Sequence, residues 1–191
     1  MLEVTNGVNT HKGAIFTLGV LCGALGRLDV CAWKDPAQIL QECSRMTCGL
    51  TNRELAASQA EETAGERLFC SLGVLGVRGQ MEAGLPAVLY TGLSLLEREL
   101  QNGSTLEMAG CMALLALITD TEDTNLLKRG GRDGLKWAAE EAKRLLNTET
   151  MPDRSMLETL DDAFIAKNLS PGGAADLLAV CYFLYFLKNE C

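Results

Sequence analysis

Four short segments concentrate the side chains that can do chemistry. The first is Gly7-Val8-Asn9-Thr10-His11-Lys12-Gly13-Ala14, which puts amide, hydroxyl, imidazole and ammonium groups at the start of an apolar helical stretch. Free N–H groups at a helix start favour an anion, and Lys12 adds a point charge. Asn9 or Thr10 serves equally well as an ordinary helix cap. His11, the single histidine, can titrate near neutrality, although a solvated or core histidine is the commoner case. The second segment is Gly76-Val77-Arg78-Gly79-Gln80-Met81-Glu82-Ala83-Gly84. Glycine lets a ligand approach the backbone, Arg78 can fork onto phosphate oxygens, and Glu82 can hold a metal or accept a proton. A helix–helix loop with solvated charges reads the same way.

The third segment, Asp120 to Arg132, runs from clustered carboxylates (Asp120, Glu122, Asp123) to clustered cations (Lys128, Arg129, Arg132). Carboxylates hold Mg²⁺ through oxygen, and the cations that follow can hold the phosphates sharing that metal. A solvated, salt-bridged helix end has the same composition. The fourth is Asn168-Leu169-Ser170-Pro171-Gly172-Gly173-Ala174-Ala175-Asp176. A Ser cap, Pro at the first helical position and paired Gly residues make a helix start that a phosphate can approach, through Ser170, Gly172 and Gly173. Asp176 lies one turn inside, at the edge of an apolar run, where a carboxylate usually has a partner or a task. The helix dipole alone also favours an Asp there. No Ser-His-Asp or Cys-His order, Walker A motif or dinucleotide fingerprint is present.

These segments need a scaffold, and the scaffold reads as all-α. The chain has 191 residues, 48% hydrophobic and 22% charged, enough for one globular domain and incompatible with disorder. A net charge of −8 and a pI near 4.7 argue against nucleic acid or an anionic membrane as partner. The longest apolar run, Leu177–Leu187, is too short to span a bilayer, which takes about 20 residues. Met1–Thr10 has neither a basic stretch nor an apolar core, so no signal peptide is expected and the cytoplasm is. The eight cysteines show no Cys-x-x-Cys spacing and are expected to be reduced and mostly buried.

Helices are expected over Val8–Leu25, from Pro36 (capped by Asp35) to Gly49, and from a Thr51–Glu54 capping box. More follow over Glu62–Leu75, from Pro86 to Asn102-Gly103, and from a Ser104–Glu107 capping box to Ile118. The last are Asn125–Arg129, broken by Gly130-Gly131, then Arg132–Leu146, Asp153–Lys167, and a final one from the Ser170 cap to Lys188. Gly76–Gln80 and Thr119–Thr124 read as breaks between helices, where a ligand site is naturally assembled.

Taken together, four stretches resemble the triphosphoribosyl-dephospho-coenzyme A synthase family, whose members serve citrate lyase and malonate decarboxylase. They are GVNTHKGAIFTLG from Gly7, GVRGQMEAGLP from Gly76, DTNLLKRGG from Asp123 and NLSPGGAADLLA from Asn168, in the family's order. Gln80 stands where an acidic residue is expected, and Lys128 where a His is. Family members are longer and carry an N-terminal segment with a Pro-Lys-Pro-Gly-Leu-Val-Asp motif. The chain is therefore expected to correspond to the C-terminal two-thirds or so of the family domain, and to work as a homodimer or with a partner chain supplying that segment.

The resemblance implies a glycosyl transfer. The 2′-hydroxyl of 3′-dephospho-coenzyme A attacks the ribose C1′ of ATP, and adenine leaves. The product is the precursor of an acyl-carrier-protein prosthetic group. The triphosphate then falls to Mg²⁺ and to Asn9, Thr10, Lys12, Arg78, Lys128, Arg129 and the Ser170–Gly173 helix start. Asp120, Asp123 and Asp176 are the candidates for Mg²⁺ or for the oxocarbenium-like ribose, with Glu82, Asp161 and Asp162 in reserve. Asp176, Asp123 and His11 are the catalytic candidates, His11 as proton carrier or phosphate donor. Two other readings stand beside this one: a non-catalytic nucleotide-binding or assembly subunit, and a Mg²⁺-dependent all-α hydrolase of ADP-ribose type.

Overall fold

The computed structural model describes residues 11–54 and 73–190, and every regular element in them is helical. Helix α1 (Lys12–Arg27) is followed by a 3-10 turn, Val30–Lys34, and by α2 (Pro36–Thr47) and α3 (Leu50–Glu54). After the glycines at 73 and 76, α4 (Gly76–Glu82) leads into a π-helical turn, Ala87–Gly92, continuous with α5 (Leu93–Gln101). Then come α6 (Leu106–Asp120), α7 (Thr124–Leu146), α8 (Arg154–Ala166) and α9 (Gly172–Glu190).

Two helices are apolar around their circumference, and they form the centre. In α6 the run Ala109, Gly110, Met112, Ala113, Leu115, Ala116, Leu117 and Ile118 is buried on all sides. Helix α9 packs against α6, α1, α5 and the π-helical turn, burying Ala174, Leu177, Val180, Cys181 and Leu184. A helix without a polar face has no stable place except between other helices. Amphipathic α2, α5 and α7 surround this pair with one buried face each, for example Ala138, Ala142 and Leu145 of α7. Helix α8 docks on the second half of α7, where Phe164 meets Trp137 edge-on at 5.1 Å.

Caps written in the sequence hold at several ends. Asp35 Oδ1 accepts from Ala37 N and Gln38 N, and Asp153 Oδ1 accepts from Met156 N. At residue 131, φ of 62° and ψ of −161° break α7 where Gly130-Gly131 predicted a break. Four expectations need correction. Gly76–Gln80 is not a break but the body of α4, anchored by fully buried Met81; the chain turns at its edges, at Gly73, Gly76 and Gly84. Thr51 lies inside α3 and caps nothing there, because Glu82 reaches across from α4 to take the free amides of that helix start. The cap of α6 is Thr105, accepting from Met108 N, which moves Glu107 out of the reciprocal position a capping box requires. The start of α9 takes its side-chain cap from Asp123 rather than from Ser170.

The cysteines are also less buried than expected. Cys43 and Cys181 are buried and Cys111 is half-buried, but Cys22, Cys31 and Cys48 are exposed, and all six are free thiols. Helix α1 is apolar on more than one face, so apolar neighbours in sequence did not imply burial for Cys22. The expected helix over Glu62–Leu75 and Cys70 and Cys191 lie outside the described residues, apart from residues 73–75. Among the described residues no helix is long and apolar enough to cross a membrane.

Candidate functional site

Three helix starts meet at one place. The carboxylate of Asp123, only 3% exposed, is the hinge between two of them. Its Oδ1 accepts from Asn125 N at 2.7 Å and Leu126 N at 3.3 Å, capping α7. Its Oδ2 accepts from Ala174 N at 2.9 Å, capping α9 across 51 positions of chain. The fit depends on Gly173, where an added Cβ would lie 3.0 Å from the Asp123 carboxyl carbon and from both its oxygens. Beside it, Asn125 Nδ2 sits against Gly172, where an added Cβ would meet it at 2.6 Å. The glycine pair is therefore a contact surface for the α7 cap.

The third helix start is that of α1. An added Cβ on Gly13 would lie 2.5 Å from Asp176 Oδ2, so glycine lets the first turn of α1 close onto the first turn of α9. Asp176 is half-buried. Burial, and then the neighbouring charge of Asp123, push its carboxyl above the usual carboxylate range, while His11 pulls it partly back. Asp123 is also pushed up, by burial, against the opposing pull of the Ala174, Asn125, Leu126 and Gly173 amides. Two acids with raised proton affinity, one of them half-open to solvent, now share a site with exposed His11 and Lys12.

The acidic edge of a cavity of about 500 Å³ lies next to this cluster. Gly76, Gly79, Ala83 and Ala87 line it, with Tyr90, Asp120 and Glu122. An added Cβ on Gly76 would meet the Thr124 methyl at 3.1 Å, so the cavity wall abuts the first residue of α7. Asp120 ends α6 and accepts from Thr91 Oγ1 at 2.6 Å. Gln80 is among the residues lining the same space, and its Oε1, buried within the protein, has no hydrogen-bond partner among the described residues. An unmet buried acceptor costs about 1–3 kcal/mol, so Gln80 stands out.

The other predicted residues distribute as follows. Asn9 and Thr10 lie outside the described residues. Arg78 is half-buried in α4, and Lys128 and Arg129 are exposed on the first half of α7. Arg129 Nη1 donates to Asn168 Oδ1 at 3.1 Å, which ties it to the turn before α9. Ser170 is half-buried in that turn. Glu82 caps α3, and its hydrogen bonds from Thr51 and Gly49 hold its carboxyl below the usual range. Asp161 and Asp162 are exposed on α8, which packs against α7.

Among the described residues no three His, Cys, Asp or Glu side chains come together in a metal-holding group. Mg²⁺ does not require one, since it is commonly held by one or two carboxylates plus substrate phosphates. Exposed Asp120 fits that description, whereas the Asp123 oxygens are already filled by amides. Sequence reasoning missed Gly13, Tyr90 and Asn125. Gly13 stood inside a quoted motif, but its value is a close approach that only the packed structure shows.

The family model described as ATP:dephospho-CoA triphosphoribosyl transferase (CitG) matches residues 1–191. A protein of Citrobacter koseri, named as a probable 2-(5''-triphosphoribosyl)-3'-dephosphocoenzyme-A synthase, is 44% identical over 188 residues. That match covers 96% of this chain and 62% of the relative's length. No solved structure matches the chain. With its whole length matched by one family model, the chain belongs to the ATP:dephospho-CoA triphosphoribosyl transferase family.

Proposed function

We propose that this chain carries the transfer of the 5-triphosphoribosyl group of ATP to the 2′-hydroxyl of 3′-dephospho-coenzyme A, with release of adenine. The carrying observation is the meeting of Asp176 with the first turn of α1 at Gly13, next to buried Asp123. In the reaction the hydroxyl oxygen bonds to C1′ as the C1′–N9 bond breaks. The hydroxyl proton must go to a base, and adenine must take up a proton as it leaves. Asp176 serves as that base, or as the carboxylate facing the positive ribose. Its raised proton affinity suits proton transfer better than an ordinary exposed Asp. His11, exposed beside it, is the candidate proton donor or phosphate ligand.

The triphosphate is assigned to Lys12, Arg78, Lys128, Arg129 and the backbone from Ser170 to Gly173. Mg²⁺ would neutralise part of its charge, with Asp120 as the protein carboxylate in reach of the cavity. Asp123 acts by fixing α7 against α9 rather than by ligation. The product would serve an acyl carrier protein of a citrate lyase or malonate decarboxylase. A cytoplasmic location is supported by the free thiols. Pairing with a second copy or a partner chain is supported by the exposed apolar side chains of Ile15 and Val30, each 69% exposed. The test is adenine release from ATP, measured with and without dephospho-coenzyme A. The proposal expects release only when the acceptor is present. Equal release without it indicates water as acceptor and overturns the transfer.

A further inference from the structure

The turn between α8 and α9 carries an asparagine where glycine would fit best. Asn168 stands at φ of 54°, one of two non-glycine residues in the left-handed region among the described residues. The turn is a helix-ending motif, in which Asn168 N donates to Ile165 O and Leu169 N to Phe164 O, both at 2.9 Å. That position favours glycine, with asparagine second. The backbone alone therefore does not account for the side chain. Its amide oxygen does: Asn168 Oδ1 accepts from Arg129 Nη1 at 3.1 Å, and the Asn168 carbonyl accepts from the same nitrogen at 3.4 Å. Leu169 fixes the turn against α7. It is 8% exposed, and an added Cβ would lie 2.5 Å from its Cδ2 at Gly130 and 3.1 Å at Gly134. Those two glycines form the notch that seats Leu169, so the acceptor beside it is held at a set distance from Arg129.

The kind of acceptor matters. Arg27, Arg98, Arg144 and Arg154 each meet a carboxylate, which balances their charge. Arg129 meets neutral carbonyls instead, and among the described residues no carboxylate lies within ion-pair distance of it. In a chain of net charge −8, this arginine is oriented and yet left charged. Both bonds use Nη1, so the rest of the guanidinium fork can meet an anion.

We infer that Asn168 is a positioning residue for nucleotide binding: its two carbonyl groups orient the Arg129 guanidinium towards the triphosphate without neutralising it. This rests on the proposed transfer, which assigns Arg129 to the triphosphate. The gain is preorganisation, because a long, exposed side chain is ordered before the nucleotide arrives.

The experiment is calorimetric binding of ATP to the wild-type protein, Asn168→Gly, Asn168→Asp, Arg129→Ala and the Asn168→Gly/Arg129→Ala double variant, with a thermal melt of each. Asn168→Gly should weaken ATP binding about fivefold, the scale of ordering one long side chain. Its melting temperature should stay level or rise, because glycine suits the left-handed turn. In the Arg129→Ala background the same change should cost nothing more, since Asn168 acts through Arg129. Asn168→Asp strengthens the tie to Arg129 but balances its charge, so ATP binding should weaken there too. A purely structural tie predicts the reverse, a gain in stability with no loss of ATP. Wild-type affinity in Asn168→Gly or in Asn168→Asp, a full fivefold loss persisting in the Arg129→Ala background, or absence of ATP binding by the wild type overturns the inference. Adenine release in the same preparations separates this result from the proposed function. Transfer activity with no effect of Asn168→Gly removes only the role of Asn168. Coupling of Asn168 to Arg129 in ATP binding without transfer removes only the reaction.

Discussion

Asp123 and Glu82 each accept three hydrogen bonds at the start of a helix, yet their carboxyls shift in opposite directions. Asp123 takes the amides of Asn125, Leu126 and Ala174, and Glu82 takes the amides of Gly49 and Thr51 and the Thr51 hydroxyl. Glu82 is lowered because its donors meet little opposition from burial. Asp123 is raised because burial outweighs its backbone donors. The same capping chemistry thus makes an ordinary clamp at the start of α3. At the starts of α7 and α9 it makes a buried carboxyl of raised proton affinity that also perturbs its neighbour, Asp176. A site for chemistry differs from a cap less by its contacts than by the water it excludes.

The sharpest way to separate the two regions is Asp176→Asn. Turnover should fall by about 10³-fold, the scale of a lost general base, while the melting temperature stays level or rises. Wild-type turnover in that variant removes Asp176 from the chemistry. Next in size is Asp123→Ala, which uncaps two helices and orphans a buried amide. It should cost about 3 kcal/mol in urea denaturation. A cost near zero would mean that Asp123 holds nothing together. Gly13→Ala places a methyl 2.5 Å from Asp176 Oδ2 and should lower turnover about 10-fold through misplacement of that carboxylate, with less effect on stability.

The smallest effect lies in the pH dependence of unfolding. Glu82, with a lowered carboxyl, contributes stability that is present above its ordinary 4.5 and lost as pH falls through its folded value. Asp123 and Asp176, both raised, contribute in the other sense. Their stability is full below the ordinary 3.8 and is lost as pH rises through their folded values. Glu82→Gln should therefore flatten the acid limb of the stability curve, and Asp176→Asn should flatten the limb above it. Because Asp176 must be ionised to act as a base, turnover should rise over the window in which its contribution to stability falls. Thermal melts and initial rates across pH 3 to 7 (about one pH unit apart) follow both.

Much of the scaffold could be read directly from residue order. Asp35-Pro36 and Gly130-Gly131 act locally, through groups within a few positions of one another, so that cap and that break appear where expected. The capping boxes at Thr51 and Ser104 failed because a competitor, distant Glu82 in one case and adjacent Thr105 in the other, reached the amides with better geometry. The candidate site was legible as four motifs but not as a division of labour. Asp120, Asp123 and Asp176 look alike in sequence. Packing makes the first a partner of Thr91 at the cavity, the second a buried double cap and the third a half-buried acid facing α1.

From its order of residues alone this protein is all-helical, rich in glycine-marked helix starts, acidic overall and equipped with a recognisable set of four segments. Periodicity, caps and breakers are short-range, and they require no knowledge of neighbours. Only the assembled molecule decided that α1, α7 and α9 begin at one point, and that Gly13 and Gly173 are the clearances permitting it. Those facts depend on how apolar α6 and α9 are enclosed by the rest. Enclosure is a long-range balance of burial, and it sets the local dielectric that turns identical carboxylates into different ones.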